Sequence, residues 1–149
     1  MKRIGEFFRF YTNLNTYKKG LFIVLAFWGT YFAYIWPKMF FWGEEGIYAG
    51  WVGIWGDWAA HNAYASRFAY QDISNWIATH PLYIETKFTY PFLANLISGL
   101  LIRSGIDRVG AFILPTLVST FAFLFLLYKF YYPQFQSYKK AVIGVFVFL

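Results

Sequence analysis

Two stretches of this chain carry almost no charge. The first has no charged residue from Leu21 to Trp36 and continues past Pro37 and Lys38 to Trp42, long enough for a bilayer-spanning helix of roughly 20 residues. The second runs from Val109 to Tyr128, interrupted by Pro115; a membrane helix accommodates such a proline as a kink when neighbouring groups satisfy the freed carbonyl. A third apolar stretch opens at Ala141, after Lys139 and Lys140, and reaches Leu149. It is too short to cross, so the sequence reads as ending inside a helix. A cleaved signal peptide is the rival reading of the first stretch. Its apolar run exceeds the usual signal length, however, and Trp36, Pro37, Lys38, Met39 and Phe40 stand where a small-residue cleavage site belongs.

Between the spans, two segments have helical periodicity. Asp57 is followed by a run to Phe68 that is rich in alanine and free of glycine and proline, which predicts a helix with Asp57 as its acidic N-cap. At about 100° per residue, Asp57, His61, Tyr64 and Phe68 share one face. The second segment runs from Pro91 to Arg103, with Phe92, Leu93, Leu96, Ile97, Leu100 and Leu101 forming an apolar stripe opposite Asn95, Ser98 and Gly99. Too short to span, it is expected to lie along the outer membrane surface and to deliver the chain to the second span. Around Thr79, His80 and Pro81, and again at Tyr90 and Pro91, the prolines favour turn or extended backbone.

These elements predict an all-α integral membrane protein, the amino-terminal part of a single polytopic domain. The expected layout is a cytoplasmic tail (1–20), a first transmembrane helix (21–42), an outer loop with two surface-lying helices (43–108), a second transmembrane helix (109–128), a cytoplasmic loop (129–140) and the start of a third helix (141–149). Composition agrees. Of the 149 residues 59% are hydrophobic and 13% charged, about half the charged share of a soluble domain. A formal charge of +6 would suit nucleic acid if the basic residues shared one water-facing surface, but here they flank apolar runs. Nucleic acid is therefore not expected as a partner; the bilayer is.

The placement of those bases sets the predicted orientation. Lys2, Arg3, Arg9, Lys18 and Lys19 precede the first span, and Lys129, Lys139 and Lys140 follow the second, whereas the long loop holds six of the seven acids. The amino terminus is expected inside and the loop outside. Phe7, Phe8, Phe10 and Tyr11 beside Arg3 and Arg9 suit either a short interfacial helix or a loosely ordered tail. With no cysteine there is no disulfide and no thiolate metal site. Aromatic residues reach 26%, in keeping with extensive interfacial surface.

The order of elements, with Gly56-Asp57-Trp58 opening a helix in the first outer loop and Tyr90-Pro91-Phe92-Leu93-Ala94-Asn95-Leu96-Ile97-Ser98-Gly99-Leu100-Leu101-Ile102-Arg103 leading to the second span, resembles the start of the GT-C superfamily of membrane glycosyltransferases. The resemblance implies a catalytic acid in the first outer loop, here Asp57, and a sugar donor carried on a polyprenyl phosphate or diphosphate. It implies a cell-envelope enzyme of a bacterial or archaeal plasma membrane, of which this portion alone would be inactive. Many members pair two acids at the catalytic position, whereas Asp57 stands alone, with Glu44, Glu45 and Asp72 distant in sequence.

Chemistry accommodates such a site. Glycosyl transfer passes through an oxocarbenium-like state that a carboxylate stabilises, or whose attacking hydroxyl it deprotonates. An N-cap lowers carboxylate basicity, which favours the first role; a plain helix cap is the alternative. Asp57 and His61, four residues apart, supply half a divalent metal site that His80 would extend. Arg67, Lys87 and Arg103 are candidates for the donor phosphate, or else bases facing water or lipid headgroups. Tyr64, Trp58 and Trp76 suit stacking on sugar or isoprenoid, or interfacial anchoring. Glu85 completes the candidate substrate-binding set. A transporter or flippase of lipid-linked material is the main rival, disfavoured because neither uncharged span holds a carboxylate, Lys, Arg or His. A non-catalytic scaffold with a partner-binding loop is the other alternative.

Overall fold

The computed structural model describes residues 2–50, 55–83 and 85–149, with the backbone alone for 2–14, 55 and 56. Five α-helices dominate the described residues: α1 (Lys2–Met39), α2 (Trp55–Tyr70), α3 (Leu93–Arg103), α4 (Arg108–Phe135) and α5 (Tyr138–Phe148). A 3-10 turn at Ile73–Asn75 follows α2, and strands β1 (Phe40–Gly43) and β2 (Gly46–Ala49) form an antiparallel hairpin.

The hairpin is the departure from an all-helical chain. The sequence reading carries the first span through Trp42, but α1 stops at Met39 and Phe40–Gly43 turns into β1. The physical reason lies in Gly43-Glu44-Glu45-Gly46, a two-residue reversal flanked by glycines, with aromatic and β-branched residues on either side that favour pleated backbone. Phe41 pairs with Tyr48, their rings stacked 5.9 Å apart. Other boundaries shift without changing type. α1 is helical from Lys2, although the side chains at residues 3–11 expected to seat it on a membrane lie outside the described ones. α4 continues past Tyr128 to Phe135, and α5 starts at Tyr138, ahead of the expected Ala141.

Among the described residues, two helices are long and apolar enough to cross a membrane, Asn15–Met39 within α1 and Arg108–Phe135. Only 17% of the most apolar window of each is buried, with Phe22, Phe27, Val118, Leu126 and Phe130 more than half exposed. A core helix of a water-soluble protein would show the reverse.

The chain divides into two compact units, Met1–Tyr34 with Val118–Leu149, and Ile35–Leu117. In the first, Val24, Leu124, Tyr128, Ala141 and Val145 bury one another, and the Tyr128 hydroxyl donates to the Tyr17 carbonyl at 3.1 Å.

The second unit is built around α2, whose alanines favour helix and leave neighbours room to approach. One flank packs Ala65 and Ala69 with Phe40, Ile102, Ala111 and Phe112, where Trp58 stacks on Phe40 at 4.5 Å. The other buries Tyr64 and Phe68 with Phe88.

α3 packs in an inverted sense for a soluble helix. Its buried residues are Asn95, Ser98, Gly99 and Ile102, while Leu93, Ile97 and Leu100 stand exposed. Small residues let the backbones close up: a Cβ on Gly99 would sit 2.7 Å from the Ala65 carbonyl oxygen. Close helix contact through small residues with large apolar side chains turned outward is the packing helices adopt in lipid. α3 ends in a Schellman motif, with Ile106 N–H donating to the Leu101 carbonyl and Gly105 N–H to that of Ile102, and Gly105 at φ +97° supplies the left-handed residue this requires. Asp107 then caps α4, its Oδ1 accepting from Gly110 N–H at 3.0 Å and from the Trp42 indole N–H at 3.2 Å.

Candidate functional site

α2 carries half of the side chains whose chemistry the sequence singles out. Asp57 is not its N-cap: the helix begins at Trp55, so Asp57 lies inside the first turn, with its side chain exposed. Its carboxylate still sits at the positive end of the helix dipole.

One turn further on, His61 is half-buried, and its Nδ1 meets Asn95 Oδ1 at 3.1 Å. An amide oxygen only accepts, so Nδ1 carries the proton and Nε2 of the neutral ring keeps its lone pair. Asn95 is buried on α3, and this bond fixes the imidazole across the α2–α3 contact. A histidine so oriented presents Nε2 as a base or a ligand.

Tyr64 is buried below His61 in a cluster of rings, 5.1 Å from Tyr90, 5.0 Å from Phe88 and 5.5 Å from His80, edge-on to the last. Burial pushes the Tyr64 phenol above its ordinary value, with Tyr90 and Tyr83 adding to the shift, so it stays a hydroxyl at neutral pH. His80 has the opposite tautomer to His61. Its Nδ1 accepts the Leu82 backbone N–H at 3.1 Å, which leaves the ring proton of the neutral form on Nε2. Its backbone N–H donates to the Thr86 carbonyl at 2.6 Å, and Glu85 has φ +63°.

The sequence candidates therefore separate into groups. His61, Tyr64 and His80 come together, with Asp57 one turn above His61. Glu85 and Lys87 are exposed. Arg103, also exposed, donates to the Gln71 carbonyl at 3.1 Å near the end of α2. Arg67, a candidate for the donor phosphate or else a base facing water or headgroups, is 8% exposed. Its Nε donates to the carbonyls of Asn75 and Trp76, and its Nη2 to the Asn75 carbonyl and the Thr79 hydroxyl. It holds the 3-10 turn and the following segment against α2. Trp58 and Trp76 are likewise packing residues, Trp76 set edge-on to Phe68 and donating to the Gln71 carbonyl.

No three His, Asp or Glu side chains converge on a metal-sized site among the described residues; Asp57 and His61 would contribute two ligands at most. Sequence reasoning missed Asn95 and Tyr90 as site members. Asn95 carried a signal, since it is the amide on the small face of a strongly apolar segment, where burying it requires a partner. It also missed Arg108, which donates to Asn62 and Ser66 on α2. No protein-family model, no curated protein and no solved structure matches this chain.

Proposed function

We propose that this chain is the amino-terminal part of a membrane glycosyltransferase that moves a sugar from a polyprenyl-phosphate donor to an acceptor at the outer face of a bacterial or archaeal plasma membrane, its amino terminus in the cytoplasm. The observation that carries this reading is the pairing on one face of α2: an exposed carboxylate, Asp57, one turn from a histidine whose Nδ1 is held by Asn95 and whose Nε2 lone pair is available. The order of elements that resembles the GT-C superfamily supports it, as does the outward apolar face of α3, which suits a helix resting at a membrane surface.

In the proposed reaction the acceptor oxygen bonds to the anomeric carbon as the bond from that carbon to the donor phosphate oxygen breaks. The electron pair leaves on the polyprenyl phosphate. Asp57, its carboxylate at the positive end of the α2 dipole, stabilises the positive charge on the sugar, and His61 Nε2 takes the acceptor's proton. Tyr64 and Tyr90 pack beside the histidine and limit its motion.

The test is release of lipid phosphate from radiolabelled polyprenyl-phosphate sugars by the full-length protein in membranes. Asp57→Asn should lower turnover by about 100-fold or more while the protein still inserts. Equal turnover in both would put the catalytic acid elsewhere, and no turnover by the wild type with any donor tried would favour transport or scaffolding.

A further inference from the structure

We propose that a groove on the opposite side of α2 from Asp57 binds the phosphate of an anionic membrane lipid. The groove measures about 360 Å³ and is lined by Ala63, Ser66, Arg67, Tyr70, Gln71 and Pro81. The helical positions 63, 66 and 70 face away from those of Asp57, His61, Tyr64 and Phe68, with 67 at the border between the two faces, so this is a second site.

Arg108 is not part of that lining but bonds two residues that are, Ser66 and Tyr70. From Nη1 it donates to Asn62 Oδ1 at 2.7 Å and to Ser66 Oγ at 2.9 Å; from Nη2 it donates to the Tyr70 hydroxyl at 3.2 Å. The guanidinium also lies 5.7 Å from the Tyr70 ring centroid. A guanidinium has only N–H groups to give. Both hydroxyl oxygens are therefore held as acceptors, and each directs its own hydrogen elsewhere. Among the described residues no acceptor takes either hydrogen, and no carboxylate pairs with Arg108 or Arg67. Two O–H donors one helical turn apart, backed by uncompensated positive charge beside an open groove, match a ligand that only accepts and carries negative charge.

Position selects phosphate on a lipid. Arg108 is the first residue of the candidate span Arg108–Phe135, the level at which headgroup phosphates stand in a bilayer. Tyr70 is 68% exposed, and an aromatic ring with a polar tip is at home at that level. The inference rests on the membrane reading of the chain and not on the reaction assigned to Asp57.

The experiment is calorimetric titration of the full-length protein, in neutral maltoside micelles, with short-chain phosphatidylglycerol and separately with inorganic phosphate. Wild type should bind the lipid more tightly than free phosphate, and Ser66→Ala with Tyr70→Phe should weaken lipid binding by about tenfold or more, since each removes a hydrogen bond to a charged acceptor. Both substitutions keep the packing surface, and Arg108 keeps its bond to Asn62. An unchanged melting temperature in the absence of lipid shows that the fold is intact, and Tyr70→Phe alone gives a smaller loss in the same direction. Free phosphate binding as tightly as the lipid would overturn the lipid assignment. Equal lipid affinity in wild type and double variant would overturn the site. Flotation of the wild type with liposomes tests the membrane reading by itself, and lipid phosphate release, unaffected by the double variant, tests the Asp57 reading separately.

Discussion

Replacing Gly99 by alanine opposes two effects of known sign, and the structure says which wins. In an isolated helix the change is favourable by about 1 kcal/mol, because alanine loses less backbone freedom than glycine. At the α2–α3 contact the new methyl would lie 2.6 Å from Phe68 Cβ, 2.7 Å from the Ala65 carbonyl oxygen and 3.3 Å from the Ala69 nitrogen. Ordinary contact is about 3.5 Å, so the helices must part by roughly 0.8 Å. Because two of the three obstructing atoms belong to backbone, no rotamer change relieves the crowding. Overpacking of this kind costs about 1–3 kcal/mol, leaving a net loss of up to about 2 kcal/mol. The same separation stretches the His61 to Asn95 bond, now 3.1 Å, out of hydrogen-bond range. Gly99→Ala should thus lower the unfolding midpoint in mild detergent and also remove the Nδ1–H signature of His61 in ¹⁵N spectra. A variant as stable as wild type, or more stable, with His61 unchanged would refute the close-packed account of the pair.

Three further outcomes are expected. Arg67→Lys cannot reach the Asn75 and Trp76 carbonyls and the Thr79 hydroxyl together and should cost about 1–3 kcal/mol; limited proteolysis between Ile73 and Thr79 should quicken, and an unchanged cleavage rate would show that Arg67 does not hold this segment. The Asp107 carboxyl is held below its ordinary value, first by Gly110 N–H and then by the Trp42 indole, so its contribution is complete above the unfolded value of about 3.9 and is lost as pH falls through the lower folded one. Melting should therefore be level from neutral pH to about 4 and decline below, with a shallower decline in Asp107→Asn and in high salt; identical acid profiles would dismiss the cap. Finally, because the chain has no cysteine, a single Asn75→Cys should react with an impermeant thiol reagent on intact cells, whereas labelling only after lysis would reverse the proposed orientation.

Much of the helical framework was legible in the order of residues. The uncharged runs, the alanine-rich segment after Asp57 and the periodic segment after Pro91 all became helices, because length and local periodicity act on the backbone at short range. Even the division of α3 into a large apolar side and a small polar side could be read directly. What periodicity leaves open is which side faces in. The tertiary structure buried the small side, since Gly99 and Ser98 let α3 approach Ala65 as bulkier residues would not.

The candidate site depended still more on contacts distant in sequence. His61 finds Asn95, Asp107 finds the Trp42 indole, and Arg108 finds Asn62 and Ser66. Arg67 falls in the segment predicted as a helix, and folding turned its guanidinium toward the Asn75 and Trp76 carbonyls where the chain leaves α2, partners that residue type alone does not announce. The hairpin went unread because an apolar run signals burial or lipid without naming its backbone conformation, and Gly43 to Gly46 reversed the chain there. Sequence alone determined where the main helical runs lie and which segments carry charge, since those properties belong to neighbouring residues. Which polar groups meet was decided only by folding, because a hydrogen bond between positions tens of residues apart leaves no periodic trace and forms wherever packing brings donor and acceptor within about 3 Å.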